Sequence, residues 1–273
     1  MNKTIAVTSS VGASVRIIQF TDPHLHESVD GTLLGLNTHQ SLTRVIEQAA
    51  KEVPLPDAIL ATGDISQDYS PASYQRFHQW MESFECPFRW CPGNHDKKEL
   101  MVATAQKSGA SKHTLELGNW LILLLDTAVP GKVPGHLADD QLELAAETFH
   151  KYPDHYILVA FHHQPVPMGS KWIDEQKVAN GDALVALAQQ FPQVRGLLWG
   201  HVHQERHDQL GTLQLISTPS TSIQFKPKED EFTLDTLAPG YRVLDLHDDG
   251  SITTWVSRVE VMNFDIDFSV KGY

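Results

Sequence analysis

The sequence predicts an α/β fold, and three observations carry that prediction. Short apolar runs of strand length alternate with helix-patterned segments through the first half, in the order βαβαβα. The last quarter changes to strands joined by tight turns such as HDDG at 247–250. No repeat, low-complexity tract or linker separates the two parts, so residues 1–273 are expected to form a single domain.

Taken in order, the first strand is VRIIQF at 15–20, followed by a helical pattern over about 38–51. AILA at 58–61 is the second strand, and the helix after it, about 70–83, opens on Pro71, whose fixed φ and missing N–H suit a first turn. FRW at 88–90 is the third strand. It ends on a turn where Pro92 fixes φ and Gly93 permits φ > 0, and a helix over about 97–107 follows. Later strands are expected at 121–126, 156–161, 194–199, 213–217, 241–246 and 252–256, with helices over about 138–151 and 181–190.

Composition narrows the function. A hydrophobic fraction of 41% over 273 residues supports a sizeable core. No apolar run reaches membrane-helix length, and residues 1–14, MNKTIAVTSSVGAS, lack a signal-type apolar stretch and read as a frayed leader, so a cytoplasmic protein is expected. A formal net charge of −13 without a Lys/Arg cluster argues against nucleic acid and anionic membranes as partners. Cys86 and Cys91 flank the third strand, and five extended residues separate them by roughly 16 Å, beyond disulfide reach. Both read as reduced structural thiols. Their opposed directions on a strand also disfavour a shared metal.

Chemistry gathers where the strands end. After the first comes TDPHL with Asp22 and His24, after the second GDISQD with Asp64, and after the third GNHD with Asn94 and His95. FHHQP with His162 and His163 follows the fifth, and GHVH with His201 and His203 the sixth. Carboxyl ends of strands are where sites assemble in open α/β sheets, so distant loops can converge there. Imidazole, carboxylate and amide oxygen without thiolate suit Mn, Fe, Zn or similar divalent ions. Asp-X-His and His-X-His spacings put two side chains on one side of an extended segment. Singly, Asp22 or Asp64 would read as a helix N-cap, and GNHD as a turn closed by an Asx bond. His26, His39, His78, His150 and His207 read as surface or satisfied core residues. The conjunction of five groups at five strand ends favours a metal centre.

In this series, Asp22-Pro-His24, Gly63-Asp64, Gly93-Asn94-His95-Asp96, His162 and Gly200-His201-Val-His203, the chain resembles the calcineurin-like metallophosphoesterase superfamily. LGLNTHQS, GSKWID, TPSTSIQFKP and FTLDTLAPGYR extend the resemblance, through most of the chain, to bacterial class III 3′,5′-cyclic AMP phosphodiesterases. The resemblance implies a four-layer αββα sandwich with mixed sheets and a dinuclear centre of two divalent metal ions. One ion would be held by Asp22, His24 and His203, the other by Asn94, His162 and His201, with Asp64 bridging. It further implies that a small cyclic nucleotide, chiefly cyclic AMP, is hydrolysed to the 5′-monophosphate, with Asn94, His95 and His203 touching the substrate. Two divalent ions, two carboxylates and a bridging hydroxide leave about +1 to meet a singly charged phosphate. His95 would stabilise the leaving oxygen as acid or hydrogen-bond donor. Many relatives orient that imidazole with an Asp three residues after the bridging Asp; here Gln67 stands there and Asp68 beside it. Asp96 is expected to cap the following helix.

Other phosphoesterase activities share the same metal blocks, and a non-catalytic scaffold on the same fold is the third reading. Every implied ligand and His95 being present disfavours the scaffold. Two features lie outside the motifs. The loop 165–181 after His162 carries an exposed-looking Trp172, which either anchors the loop on the core or stacks on the purine. Residues 258–273 form a tail whose final VMNFDIDFSVKGY alternates apolar and polar, as an edge strand or as an arm that packs on a neighbour, so an oligomer is possible.

Overall fold

The computed structural model describes residues 14–260 and 266–272; the expected leader apart from Ser14, and positions 261–265 and 273 of the tail, lie outside the described residues. Strand β1 (Val15–Phe20) leads through a small hairpin, β2 (Thr32–Leu33) and β3 (Leu36–Asn37), into α1 (Thr38–Glu52). Then come β4 (Ala58–Ala61), α2 (Pro71–Glu82), β5 (Phe88–Trp90) and α3 (Lys98–Thr104). The second half runs β6 (Thr114–Leu117), β7 (Trp120–Leu124), α4 (Asp139–Lys151), β8 (Tyr156–Phe161), α5 (Lys171–Asp174), α6 (Gly181–Gln189) and β9 (Val194–Trp199). It closes with β10 (Arg206–Leu210), β11 (Leu213–Ser217), β12 (Gln224–Phe225), β13 (Leu234–Asp235), β14 (Gly240–Leu246) and β15 (Ile252–Arg258).

Two mixed sheets face each other. One has the order β15-β14-β1-β4-β5, the other β10-β11-β9-β8-β7-β6. In the first, β1, β4 and β5 are parallel, β14 runs antiparallel to β1 and β15 antiparallel to β14; in the second, β7, β8, β9 and β11 are parallel, flanked by antiparallel β6 and β10. Strand alternation builds the layers. Ile17 of β1 and Leu158 and Ala160 of β8 point between the sheets, where they meet Leu60, Trp120, Leu198 and Leu244. Their neighbours Ile18 and Phe20 turn outward onto Leu42, Val45, Phe77 and Met81 of α1 and α2. Likewise Ile157, Val159 and Phe161 meet Ala145, Phe149, Leu184 and Ala188 of α4 and α6. The order helix, sheet, sheet, helix is the expected αββα sandwich. A strand buried on both faces shows no polar alternation, which is why β4 and β8 read as continuous apolar runs; β1 interrupts its run with Arg16 and Gln19.

Local chemistry sets the helix starts. The Asn37 side chain accepts from the Gln40 N–H to cap α1, and Ser70 accepts from Ser73 ahead of Pro71 in α2. β10 escaped the sequence reading because RHDQL is polar and largely exposed at a sheet edge. β6 and the short pairs β2–β3 and β12–β13 were also missed. The tail does not form an edge strand over 266–272. It lies on its own chain, where the Asp267 N–H donates to Leu34 O at 3.0 Å. No helix among the described residues is long and apolar enough to cross a membrane.

Candidate metal centre

Five loops deliver the predicted residues to one edge of the sandwich, at the carboxyl ends of β1, β4, β5, β8 and β9. The first two loops zip together: Asp22 N donates to Gly63 O (3.1 Å), His24 N to Asp64 O (3.0 Å) and Leu25 N to Ile65 O (2.9 Å). The loops are not extended, contrary to the spacing argument. Asp22, His24, Asp64, His201 and His203 all sit in the left-handed region, with φ of 53°, 49°, 51°, 64° and 48°. Side chains therefore converge because each loop coils tightly, and the packing leaves no room beside them. A Cβ on Gly93 would lie 2.2 Å from Asp64 Oδ1, and one on Gly200 would lie 2.0 Å from Thr21 Oγ1.

Asp22, His24, Asp64, His162, His201 and His203 are all buried, whereas Asn94 and His95 are half-buried at the rim. Asp22, His24 and His203 form one group whose ligand atoms lie within 4.8 Å of one another; Asp22, Asp64 and His162 form another. Asp64 lies between the sets. Its Oδ2 is 3.3 Å from His162 Nε2 and 3.8 Å from His24 Nε2, while Oδ1 accepts the His95 N–H at 2.8 Å. Asn94 Oδ1 is 3.2 Å from His162 Nε2.

Hydrogen bonds on the far side of each ring fix which nitrogen faces inward. His24 Nδ1 meets Gln67 Oε1 at 2.7 Å, His162 Nδ1 meets Thr62 O at 2.6 Å, and His203 Nδ1 meets Ile223 O at 2.8 Å. These oxygens only accept, so each Nδ1 carries a proton and Nε2 is the ring nitrogen turned toward the centre. His24 Nε2 and His203 Nε2 lie 3.4 Å apart, and His201 Nε2 is buried with no hydrogen-bond partner among the described residues. Ring nitrogens and carboxylates buried this close together could hold a cation, and this nitrogen and oxygen donor set fits divalent transition ions. His163 also has a ring nitrogen within 4.8 Å of ligand atoms of His162 and His201, but its hydrogen bonds hold it back. Thr127 Oγ1 receives its backbone N–H at 3.2 Å and lies 2.8 Å from Nδ1, while Nε2 lies 2.9 Å from Val133 O, so both ring nitrogens are engaged.

Charge follows the same division. Burial works to protonate Asp22 and Asp64, but imidazole charge outweighs it: His203 holds Asp22 below the usual carboxylate range, and His162 holds Asp64 well below. Burial pushes His24 down to about 3 and His201 well below its ordinary value. Burial also opposes charge on His162, yet the Asp64 and Asp22 carboxylates win and raise it to about 9. Without a cation, a proton on His162 supplies the missing positive charge, and a binding ion must displace it.

Other expectations land differently. Asp96 does not cap α3, whose first flanking residue is Lys97 with no side-chain cap. Its carboxylate instead accepts the backbone N–H groups of Gly93, Ile65 and Ser66, pinning the loop after β5 to the loop after β4. Gln67 serves His24, while Asp68 accepts from Glu27 N at 2.7 Å and Ser70 N at 3.0 Å. Trp172 is a half-buried residue in the single turn α5, packed edge-to-face with Phe225 (5.0 Å) and Phe232 (5.1 Å). It also lines a cavity of about 370 Å³ with Asp64, Asn94, His95 and His201. Sequence reasoning missed Phe225, which stacks on His203 at 4.1 Å, and Thr21, whose hydroxyl donates to Asp22 Oδ2 at 2.6 Å. Thr21 beside Asp22 was visible; the carbonyls of Thr62 and Ile223 leave no sequence signal.

Comparison with known proteins agrees with this geometry. Residues 15–205 match the family described as calcineurin-like phosphoesterase. The chain is 46% identical to the 3′,5′-cyclic adenosine monophosphate phosphodiesterase CpdA of Pseudomonas aeruginosa, over 97% of this chain and 98% of that one. It is 41% identical to CpdA of Escherichia coli K12 over 96% of each chain, and 33% identical to the 3′,5′-cyclic-nucleotide phosphodiesterase alr5338 of Nostoc over 90% of this chain and 92% of that one. Among solved structures, a dimetal phosphatase from Danio rerio superposes with a TM-score of 0.60 at 13% identity, covering 91% of this chain and all of the other. At that identity the likeness speaks for the fold.

Proposed function

Because the chain belongs to the calcineurin-like phosphoesterase family, we propose that it hydrolyses 3′,5′-cyclic nucleotides, chiefly cyclic AMP to 5′-AMP. The observation that carries the reading is the buried cluster of Asp22, His24, Asp64, His162 and His203, in which His24 Nε2 and His203 Nε2 lie 3.4 Å apart and the ligand atoms of each group lie within 4.8 Å of one another. Asp22, His24 and His203 would hold one divalent ion of the Fe, Mn or Zn class, and Asn94, His162 and His201 the other, with Asp64 shared. When bound, such a pair supplies hydroxide at neutral pH and neutralises phosphoryl charge.

The chain's own residues do the rest. Asp64 fixes His95 through its backbone N–H, so the residue facing the leaving group and the shared ligand move as one unit. His95, half-buried at the cavity wall, is placed to hydrogen-bond or protonate the ribose 3′ oxygen as its bond to phosphorus breaks. Asn94 and His203 meet the phosphate from the two ligand groups. Trp172 offers the nucleoside an aromatic wall while anchoring its loop on Phe225 and Phe232. The whole chain acting as one domain in the cytoplasm belongs to the same proposal, supported by free Cys86 and Cys91.

Metal analysis of the purified protein, coupled to a panel of cyclic AMP, cyclic GMP, 2′,3′-cyclic nucleotides and phosphomonoesters, tests the proposal. Two equivalents of metal and preference for cyclic AMP are expected. Preference for monoesters would replace the substrate reading, and full turnover after chelation would remove the metal from it.

A further inference from the structure

The cavity beside the metal centre has a wall that none of the motifs explains. Residues 266–272 return to the site from the far end of the chain. Ile266 packs against the cluster of Leu33, Leu36, Phe225 and Phe232, on which Trp172 also rests, and Asp267 N donates to Leu34 O at 3.0 Å. The Asp267 carboxylate accepts the Ser269 N–H at 2.9 Å and the Ser269 hydroxyl at 2.6 Å, which turns the chain back. Lys271 and Gly272 then line the cavity together with Asp64, Asn94, His95 and Trp172.

Charge gives this placement its meaning. Glu175 and Glu231 also line the cavity and are exposed, so an anion entering past them meets two carboxylates. Among the described lining residues, Lys271 is the one Lys or Arg, in a chain of net charge −13. We propose that Lys271, carried on this C-terminal arm, is a substrate-binding residue that draws the phosphate anion past Glu175 and Glu231 and holds it at the mouth of the metal centre. This rests on the phosphoester reading of the site. An ammonium on a flexible stem suits the role, because it contributes charge without a fixed hydrogen-bond geometry.

The experiment uses the full, metal-loaded chain with two readouts. In the first, trypsin cleavage after Lys271, seen as loss of the last two residues by mass, is measured with and without inorganic phosphate. Phosphate is expected to slow cleavage several-fold, and unchanged cleavage would overturn the proposal whichever ester the enzyme prefers. In the second, Lys271→Ala is expected to raise KM for cyclic AMP about 3- to 10-fold with kcat within about twofold, Lys271→Glu to raise it further, and Lys271→Arg to stay near wild type. A kcat loss without a KM change, or a normal KM in Lys271→Glu, would overturn it. Wild-type protein that ignores cyclic AMP yet shows phosphate protection would sink the substrate reading and leave Lys271 in place.

Discussion

The floor and the rim of the metal centre are built by different physics. On the floor, Asp22, His24 and His203 are almost completely buried, and Gln67, Ile223 O and Thr21 fix their orientations. At the rim, Asn94, His95 and Trp172 are half-buried and stand on a turn or a single helical turn. Preorganisation costs buried polarity, which only a tightly bonded floor can satisfy, whereas substrate exchange needs exposed groups. Asp64 belongs to both regions, with Oδ2 toward the ligand set and Oδ1 on the His95 N–H.

That double membership makes Asp64→Ala the most damaging change expected. Turnover should fall by more than for any other single ligand, and by more than the roughly 10²- to 10⁴-fold worth of one general acid. Metal content and kcat measured side by side decide it; two retained metals with near-normal kcat would dissolve the distinction between Asp64 and the other ligands. His95→Ala probes the rim alone. Metal content should be kept while turnover of cyclic AMP falls about 10²- to 10⁴-fold. The loss should shrink for a nitrophenyl ester, and equal losses would reduce His95 to positioning.

Trp172→Ala is a smaller rim effect. At about 1–3 kcal/mol for a stacked base, KM for cyclic AMP should rise about 5- to 150-fold while bis(p-nitrophenyl) phosphate is spared. Equal losses on both, with a lowered melting temperature, would return Trp172 to the core.

The smallest expected effect belongs to the floor and is read in chelated protein. His24 and His163 are held at about 3, chiefly by burial, against about 6.5 unfolded, so the unfolded chain binds more protons between these values and stability falls as pH drops below about 6.5. His162, which Asp64 raises to about 9 against the pull of burial, works the other way: the folded chain holds the extra proton, and stability falls as pH rises from about 6.5 through 9. Melting temperature in chelator should therefore peak near pH 6.5, and metal should flatten the alkaline limb by replacing the His162 proton. An identical profile with and without metal would contradict the inferred cation site.

Much of this was legible in the sequence, for identifiable reasons. Buried parallel strands leave apolar runs, so β1, β4, β5, β8, β9 and β11 were placed as observed, and the polar residues ending five of the parallel strands marked the site. What stayed hidden depends on backbone or on distant contacts. The left-handed turns at Asp22, His24 and Asp64 have no residue signature, because glycine is the usual occupant of that conformation. A carboxylate before a helix usually caps it, but Asp96 instead receives N–H groups from a loop some thirty positions away. In the sequence Lys271 is one residue of an alternating tail, and only folding brings it to the cavity that Asp64 also lines.

The left-handed residues of the floor also bear on how much of this protein a cell retains. Side chains other than glycine in that region cost of order 1–3 kcal/mol each, and here the cost falls on the residues that face the cation site. A bound cation adds stability to the folded form alone, in proportion to the logarithm of its free concentration. When that concentration falls, a larger share of chains is unfolded at any moment and open to proteolysis. Scarcity of metal would thus reduce the number of enzyme molecules as well as the activity of each, and its effect on cyclic nucleotide levels would outlast the return of metal by the time needed to synthesise new protein.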